Sequence, residues 1–245
     1  MEVVGDSEVP ADRRNLAWQA AELFMKEADL ALDVHIWLEK RVPSAAGLGG
    51  GSSDAAAVLR GLKLLTGVDA DSMSLAERLG SDVPFFLLGG AVLVQGRGER
   101  MRSLPPARFN AVLLHPNVSI STSWAYAALD RMRETLTDRC ASNNYWAPAE
   151  ERHEGKPFPF QLDNDFLPLL VREHDQLRAI AAFLEERCHS WGLSGSGPTF
   201  YALFEGRKQA RDFAESVSTL SASLPEGLGC TVCESVDSAG ASSNW

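Results

Sequence analysis

The chain has 245 residues, of which 45% are apolar and 23% are charged, a composition typical of a globular protein with a sizeable core. This balance excludes a collagen, a coiled coil and a fully disordered chain. The formal net charge is −10, from 23 basic and 33 acidic residues, and the longest basic clusters are pairs. Proteins that bind nucleic acid normally carry a basic patch, so we expect no nucleic-acid partner.

Membrane and export signals are the next class that the sequence allows us to test. The near-apolar run over residues 83–94 is too short to span a bilayer, and it is interrupted by Gly89 and Gly90. No charged and then apolar leader opens the chain, and its four cysteines lack the density of a disulfide framework. The sequence therefore predicts a cytoplasmic protein without a membrane partner.

Apolar spacing predicts the elements of the first part of the chain. The polar stretch up to Arg14 is predicted to be a loop, and a helix is expected to begin at Asn15. Strict alternation over residues 32–39 predicts a half-buried strand. The following elements are predicted to be a glycine-rich turn over 43–54, a helix carrying Ala55, Val58, Leu59 and Leu62, a short helix over 73–79, an apolar strand that follows Pro84 and ends at Val94, and a hairpin turn over 96–98.

Pro105 and Pro106 break this pattern and predict a domain boundary. Beyond them we expect a strand over 111–114, a helix from Trp124, a long mobile loop over 137–160, helices over 175–187 and 208–217, a glycine-rich turn over 192–198, and a strand in which Phe200, Ala202 and Phe204 alternate. The sequence thus predicts an α+β fold with one domain over 1–108 and another over 109–245, the second ending in a disordered tail.

The first glycine-rich segment is the strongest functional signal. Glycines between a strand and a helix expose backbone N–H groups at the positive end of the helix dipole, which is a typical phosphate-binding arrangement. The alternative is a plain helix start capped by Ser52 or Ser53. A Walker A lysine and the spacing of a dinucleotide motif are both absent from the segment. The predicted phosphate-binding residues are Pro43, Gly47, Leu48, Gly49, Gly50, Gly51, Ser52 and Ser53.

Asp82 is the best candidate for a catalytic carboxylate, and its alternative role is that of a turn residue before Pro84. The second glycine-rich turn is either a tight connection or part of a site, and two glycine–serine loops in one chain suggest a site at a domain interface. Gly195-Ser196-Gly197 lacks the preceding strand of a hydrolase nucleophile turn. Cys230 and Cys233 are explained better by alternation in a terminal strand than by zinc.

These motifs, in this order, resemble those of the GHMP small-molecule kinases. The segment from Pro43 to Ala56, with Gly47-Leu48 and a triple glycine, resembles the central motif of that family. Matching segments follow at 80–86, 96–99, His115-Pro116, Ser121-Thr122, Asn164-Asp165 and 192–199, the last of which resembles the third GHMP motif. The resemblance extends from about Asn15 to Phe204.

The resemblance implies a two-lobed α+β fold with a ferredoxin-like C-terminal lobe. Family members begin with strands that carry a Lys-x-Asn-Leu motif, which this chain does not contain. The resemblance therefore implies an N-terminal, ATP-binding lobe that lacks its first strands. It further implies that Asp82 is the general base, that the central glycine-rich segment holds the triphosphate of ATP with Mg²⁺ near Ser53, and that Gly195, Ser196 and Gly197 close over the site. No cluster of protein side chains is expected to hold a metal.

The triple glycine is most similar to that of family members which phosphorylate the 2-hydroxyl of a methylerythritol moiety in the non-mevalonate isoprenoid pathway. The partner implied is a small-molecule substrate, and the protein itself is expected to be a monomer or a homodimer. Three alternatives stay open: a mevalonate- or homoserine-type GHMP kinase, a nucleotide-binding protein without catalytic activity, and a protein that binds no nucleotide. Binding of ATP without turnover would indicate the second.

Overall fold

The computed structural model describes residues 1–68, 70–96, 98, 100–105, 107–136, 163–220 and 224–236. The loop predicted over 137–160 and the tail beyond residue 236 lie outside these residues. Contacts along the chain divide it into two compact units. The first contains Met1–Ser44 and Gly49–Ala107, and the second contains Ala45–Leu48 and Arg108–Ser235. In the described part of the chain, no helix combines the length and the apolar character needed to cross a membrane.

Among the residues described, four helices of the first unit contribute to a core that includes the fully buried side chains of Phe24, Leu59, Leu75 and Val83. The pairing of β1 with β2 is parallel and that of β3 with β4 is antiparallel, which confirms the predicted hairpin. The elements are β1 (Glu2–Val4), α1 (Leu16–Glu27), β2 (Trp37–Glu39), α2 (Gly50–Thr66), α3 (Ser72–Leu79), α4 (Val83–Leu88), β3 (Ala91–Gln95) and β4 (Arg100–Leu104).

Three predictions for this unit are wrong. The stretch before Arg14 contains a strand, β1, as well as a loop. Of the alternating residues 32–39, only those of β2 form a strand. Leu32 and Val34, which were expected to be half-buried in it, lie outside the strand and are 53% and 39% exposed. The apolar segment after Asp82 begins as a helix, α4, since Pro84 suits the first turn of a helix.

The second unit is a four-stranded antiparallel sheet with helices packed on it. Its elements are β5 (Asn110–His115), α5 (Thr122–Leu136), α6 (Phe166–Glu173), α7 (Asp175–Arg187), β6 (Trp191–Leu193), β7 (Phe200–Phe204), α8 (Arg207–Thr219) and β8 (Gly229–Glu234). The strand order β6-β7-β5-β8 places the first strand of the unit between its third and its fourth. This is the predicted ferredoxin-like arrangement.

Two features of this unit were not predicted. Helix α6 carries Pro168 in its first turn, where the missing N–H is tolerated, but an isolated eight-residue segment with a proline gives no strong helical signal. Strand β6 precedes the second glycine-rich turn, which corrects the expectation that no strand lies there. The turn leads into β7 and not into a helix, so a hydrolase nucleophile turn is not formed. Cys230 and Cys233 lie in β8, as predicted.

Candidate functional site

Helix α2 begins inside the first glycine-rich segment without a side-chain cap. Gly49 occupies the N-cap position, and Ser52 and Ser53 lie within the helix, so the alternative in which one of them is the cap is wrong. The Ser53 hydroxyl donates to the carbonyl oxygen of Gly50 at 2.8 Å. Since the first N–H groups of a helix have no partner within it, those of Gly50, Gly51 and Ser52 can donate to an external acceptor.

Other side chains lie close to the Cα atoms of two glycines at this helix start, and the space beside the third glycine is open. A Cβ atom on Gly49 would lie 2.7 Å from the ring of Phe86, which follows Asp82 by one turn of α4. A Cβ atom on Gly50 would lie 3.2 Å from the Nζ atom of Lys40. On Gly51 the nearest atom would be 3.7 Å away, an ordinary contact. Bare backbone at Gly49 and Gly50 therefore allows the Phe86 ring and the Lys40 ammonium group to approach the start of α2 closely.

Lys40 lies beside this helix start and was not among the residues predicted from the sequence. It directly follows β2, and its backbone N–H donates to the carbonyl oxygen of Val4 in β1. Its Nζ atom donates to Oδ2 of Asp54 at 2.6 Å, and only 5% of its side chain is exposed. The available signal was a lysine placed between a strand and a glycine-rich segment. This signal is weak without β1, which positions the backbone of Lys40 and lies in a stretch whose sequence predicts a loop.

The charge of Lys40 also attracts a second acidic group of the first unit, Asp6. The pKa of Asp6 lies below its ordinary value, first because Ser44 donates a hydrogen bond to its carboxylate. The attraction of Lys40 is a smaller cause of the same shift. Lys40 thus supplies positive charge to the region between β2 and α2.

Asp82 occupies the N-cap position of α4 and is exposed. Within the described residues its carboxylate caps no backbone N–H of that helix, so both oxygen atoms are available to a ligand. The hairpin turn after β3 supports the backbone beside it. A Cβ atom on Gly98, whose φ is +113°, would lie only 2.8 Å from the carbonyl oxygen of Ser81. Gly98 therefore allows the turn to contact the residue that precedes Asp82.

In the second unit, the segment Ala45–Leu48 is bound to the second glycine-rich turn. The Ser194 hydroxyl donates to the carbonyl oxygen of Gly47 at 2.8 Å. The Thr199 N–H donates to the carbonyl oxygen of Ala46 at 3.4 Å. A Cβ atom on Gly47 would lie 2.4 Å from the carbonyl oxygen of Ser194 and 2.7 Å from that of Gly197. The two backbones thus approach more closely than any side chain permits.

Asn164 fixes the shape of the second turn. Its Nδ2 atom donates to the carbonyl oxygens of Leu193 and Gly195 at 2.8 and 2.9 Å, and its Oδ1 atom accepts from the N–H of Phe166. One amide side chain therefore joins the start of α6 to the turn. Ser196 is anchored more loosely, since its hydroxyl lies 3.3 Å from that of Thr122.

Replacement of Asn164 by aspartate is expected to destabilise the second unit in a pH-dependent way. An ionised carboxylate would face two carbonyl oxygens, whereas a protonated one still donates to one of them. The protonated form is thus favoured by the folded state, so stability is highest at low pH and falls as pH rises. We expect a loss of roughly 2–3 kcal/mol in the free energy of unfolding at pH 8 and a smaller loss at pH 5.

Urea denaturation of the wild type and the variant at both pH values measures this difference. Asn117→Asp is the matched control, because it makes the same chemical change at an exposed position. A loss in Asn164→Asp that is equal at pH 5 and pH 8 would contradict the proposed hydrogen bonds.

The predicted site residues thus fall into two groups. In the first unit the structure places Gly49, Gly50, Gly51, Ser52, Ser53 and Asp82 on α2 and α4, with Pro43 exposed before them. In the second unit Gly47 and Leu48 accompany Gly195, Ser196 and Gly197. Within the residues described, no group of three acidic, histidine or cysteine side chains could hold a metal ion.

Comparison with known proteins gives the same assignment for both parts of the chain. The sequence matches the GHMP kinases N terminal domain over residues 15–90 and the GHMP kinases C terminal domain over residues 160–221. A 4-diphosphocytidyl-2-C-methyl-D-erythritol kinase of Synechococcus sp. (strain JA-3-3Ab) is 40% identical over 218 residues, which cover 84% of this chain and 71% of that protein.

Solved structures agree with the sequence comparison. The crystal structure of a 4-(cytidine 5'-diphospho)-2C-methyl-D-erythritol kinase is 33% identical, with a TM-score of 0.69 over 89% of this chain and 78% of that one. The mevalonate kinase of L. major shares the fold at a TM-score of 0.64 and 16% identity, over 94% of this chain and 81% of its own. The chain therefore belongs to the GHMP kinases and, among these small-molecule kinases, to the family of 4-diphosphocytidyl-2-C-methyl-D-erythritol kinase.

Proposed function

We propose that this protein transfers the γ-phosphoryl group of ATP to the 2-hydroxyl of 4-diphosphocytidyl-2-C-methyl-D-erythritol. The observation that carries the proposal is the uncapped, glycine-rich start of α2 in a chain of this kinase family. The reaction would make the protein an enzyme of the non-mevalonate isoprenoid pathway.

The start of α2 fits the phosphates of ATP by its chemistry. Free N–H groups and the positive end of the helix dipole attract an anion without any net positive charge on the protein. This explains how a chain with a formal net charge of −10 can bind an anionic nucleotide. The residues proposed to line the phosphate path are Pro43, Gly47, Leu48, Gly49, Gly50, Gly51, Ser52 and Ser53.

Asp82 is proposed to be the general base. Its exposed carboxylate would accept the proton of the substrate hydroxyl while that oxygen attacks the γ-phosphorus and the bond to ADP breaks. Asp82 directly precedes Val83 and Pro84, which are buried. Burial of these two residues fixes the backbone that carries the Asp82 carboxylate. Gly98 contributes by supporting Ser81, and Gly195, Ser196 and Gly197 are proposed to bind substrate from the second unit.

A magnesium ion is proposed to accompany ATP, where it would neutralise charge on the phosphate oxygens. Ser53 is the candidate protein ligand. Its hydroxyl proton is donated to Gly50, so an oxygen lone pair remains available to a cation. The expected effect of EDTA is loss of turnover that added Mg²⁺ restores.

A mevalonate- or homoserine-type activity has less support. The similarity to L. major mevalonate kinase is one of fold alone at 16% identity, whereas relatives named for the methylerythritol substrate reach 41% identity. The triple glycine at 49–51 also favours the methylerythritol substrate. We further propose a cytoplasmic location, where ATP is supplied, and a monomeric or homodimeric state.

The direct test is phosphorylation of 4-diphosphocytidyl-2-C-methyl-D-erythritol by the purified 245-residue chain with ATP and Mg²⁺, followed by the mass of the product. A mass increase of one phosphoryl group supports the proposal, and mevalonate and homoserine serve as competing acceptors. Phosphorylation of either of these instead would overturn the substrate assignment. Binding of ADP by a folded chain without any turnover would favour the non-catalytic alternative.

A further inference from the structure

The ammonium group of Lys40 has more donors than the structure gives it acceptors. A lysine ammonium carries three N–H donors. Among the residues described, Nζ donates a hydrogen bond to a single acceptor, Oδ2 of Asp54 at 2.6 Å. With 5% of the side chain exposed, the two other donors have little access to bulk water. A buried charged donor without a partner is costly, so the site calls for a further acceptor.

The position of Lys40 is also electrostatically unusual. Its Nζ atom lies 3.2 Å from the point where a Cβ atom of Gly50 would stand, at the first residue of α2. The N-terminus of a helix is positive, and side chains placed there are normally acidic. Asp54 balances the ammonium charge but leaves the free N–H groups of α2 without an anion. A cation beside a positive helix end therefore indicates that a second negative group binds there.

We propose that Lys40 is a phosphate-binding residue that donates to a phosphate group of the nucleotide while Asp54 holds its ammonium in place. The inference rests on the proposed function, since it assigns a further residue to the same nucleotide. Phosphate oxygens accept charge-assisted hydrogen bonds from an ammonium and from the backbone N–H groups of α2 together. Lys40 thus supplies the cation that a glycine loop without a Walker lysine lacks.

The competing explanation is that Lys40 and Asp54 form an ion pair that only stabilises the fold. Both explanations predict that loss of Lys40 destabilises the protein, because Asp54 would be left partly buried and unpaired. The two explanations differ in the effect that loss of Lys40 has on the affinity for the nucleotide. A purely structural pair has no preference for ligands that carry phosphate.

The test is calorimetric binding of ADP and of adenosine to the wild type, Lys40→Met, Asp54→Asn and the double variant Lys40→Met/Asp54→Asn. Methionine keeps most of the length of the lysine side chain and removes its charge. Asparagine keeps an oxygen acceptor for Lys40. The double variant contains no unpaired buried charge, so it keeps the test open even where Lys40→Met fails to fold. Lys26→Met, at an exposed position on α1, is the control for loss of a lysine.

We expect Lys40→Met and the double variant to raise the dissociation constant of ADP roughly 10- to 100-fold. Adenosine binding should be unchanged, since it lacks phosphate. Asp54→Asn should raise the ADP constant less than Lys40→Met does, because the ammonium remains and the amide oxygen can still accept a hydrogen bond from it. Equal ADP affinity in the wild type and the double variant would overturn the proposal, and so would parallel losses for ADP and adenosine.

Failure of this inference can be told apart from failure of the proposed function. If the wild-type chain phosphorylates its substrate and the double variant binds ADP normally, the phosphate-binding role of Lys40 is excluded and the proposed kinase activity is not. A folded wild-type chain that binds neither ADP nor ATP would exclude both the kinase activity and the phosphate-binding role of Lys40.

Discussion

Asp82→Asn is expected to lower kcat by about 10²–10⁴-fold while the affinity for ADP stays close to that of the wild type. The amide cannot accept the proton of the substrate hydroxyl, and this proton transfer is the step assigned to the carboxylate. The nucleotide is assigned to the start of α2, which the substitution does not alter. Asparagine is also accepted at a helix N-cap, so α4 should remain folded.

Steady-state kinetics and calorimetric ADP binding measure the two effects separately. Asp71→Asn is the matched control, because Asp71 is also an acidic N-cap, at the start of α3, and its amide can still accept from Ser74. We expect that control to retain wild-type turnover. Unchanged kcat in Asp82→Asn would remove Asp82 from the role of base.

Gly47→Ala is expected to destabilise the second unit by roughly 3–5 kcal/mol, enough to abolish activity at physiological temperature. Gly47 has a φ of +72°, which an L residue adopts only with strain. The added Cβ would lie 2.4 Å from the carbonyl oxygen of Ser194, and backbone atoms on both sides cannot yield as a flexible side chain can. The hydrogen bond from the Ser194 hydroxyl to Gly47 would be lost with the displacement.

Gly61→Ala is the matched control for this substitution. Gly61 lies within α2, and a Cβ atom there would meet no atom within 4 Å. Alanine stabilises a helix interior relative to glycine by up to about 1 kcal/mol, so we expect the opposite sign. Urea denaturation monitored by circular dichroism compares the two variants. A Gly47→Ala protein as stable as the wild type would contradict the close approach of the two segments.

The elements with a repeated apolar pattern were predictable because their cores lie on one face. Helix α2 was predicted from the spacing of Ala55, Leu59 and Leu62, and these side chains are buried. Helix α7 was predicted over 175–187 from the same kind of spacing, and its bounds agree. Strand β7 followed from alternation at Phe200 and Ala202. In each case the period of the sequence matches the period of the element that buries it.

Short elements were not predictable in the same way. Strand β1 has three residues, and it exists because it pairs with β2, which lies more than thirty residues later in the chain. The alternation at Leu32 and Val34 gave a false strand signal, since no partner strand pairs with that segment among the described residues. Periodicity records which face is apolar, and it does not record whether a partner is available.

For the candidate site, the sequence was enough to predict the glycine-rich segment and Asp82, and its order of motifs pointed to the family that the comparisons show. Composition and spacing suffice there because glycines, a helix start and an acidic residue are local features. The three-dimensional fold was needed to place Lys40 beside Gly50, the first residue of α2. It was also needed to show that Asn164 binds the second turn and that Ser194 binds Gly47. These contacts join residues that are 14, 29 and 147 positions apart, and sequence spacing carries no information about which distant backbone groups will meet.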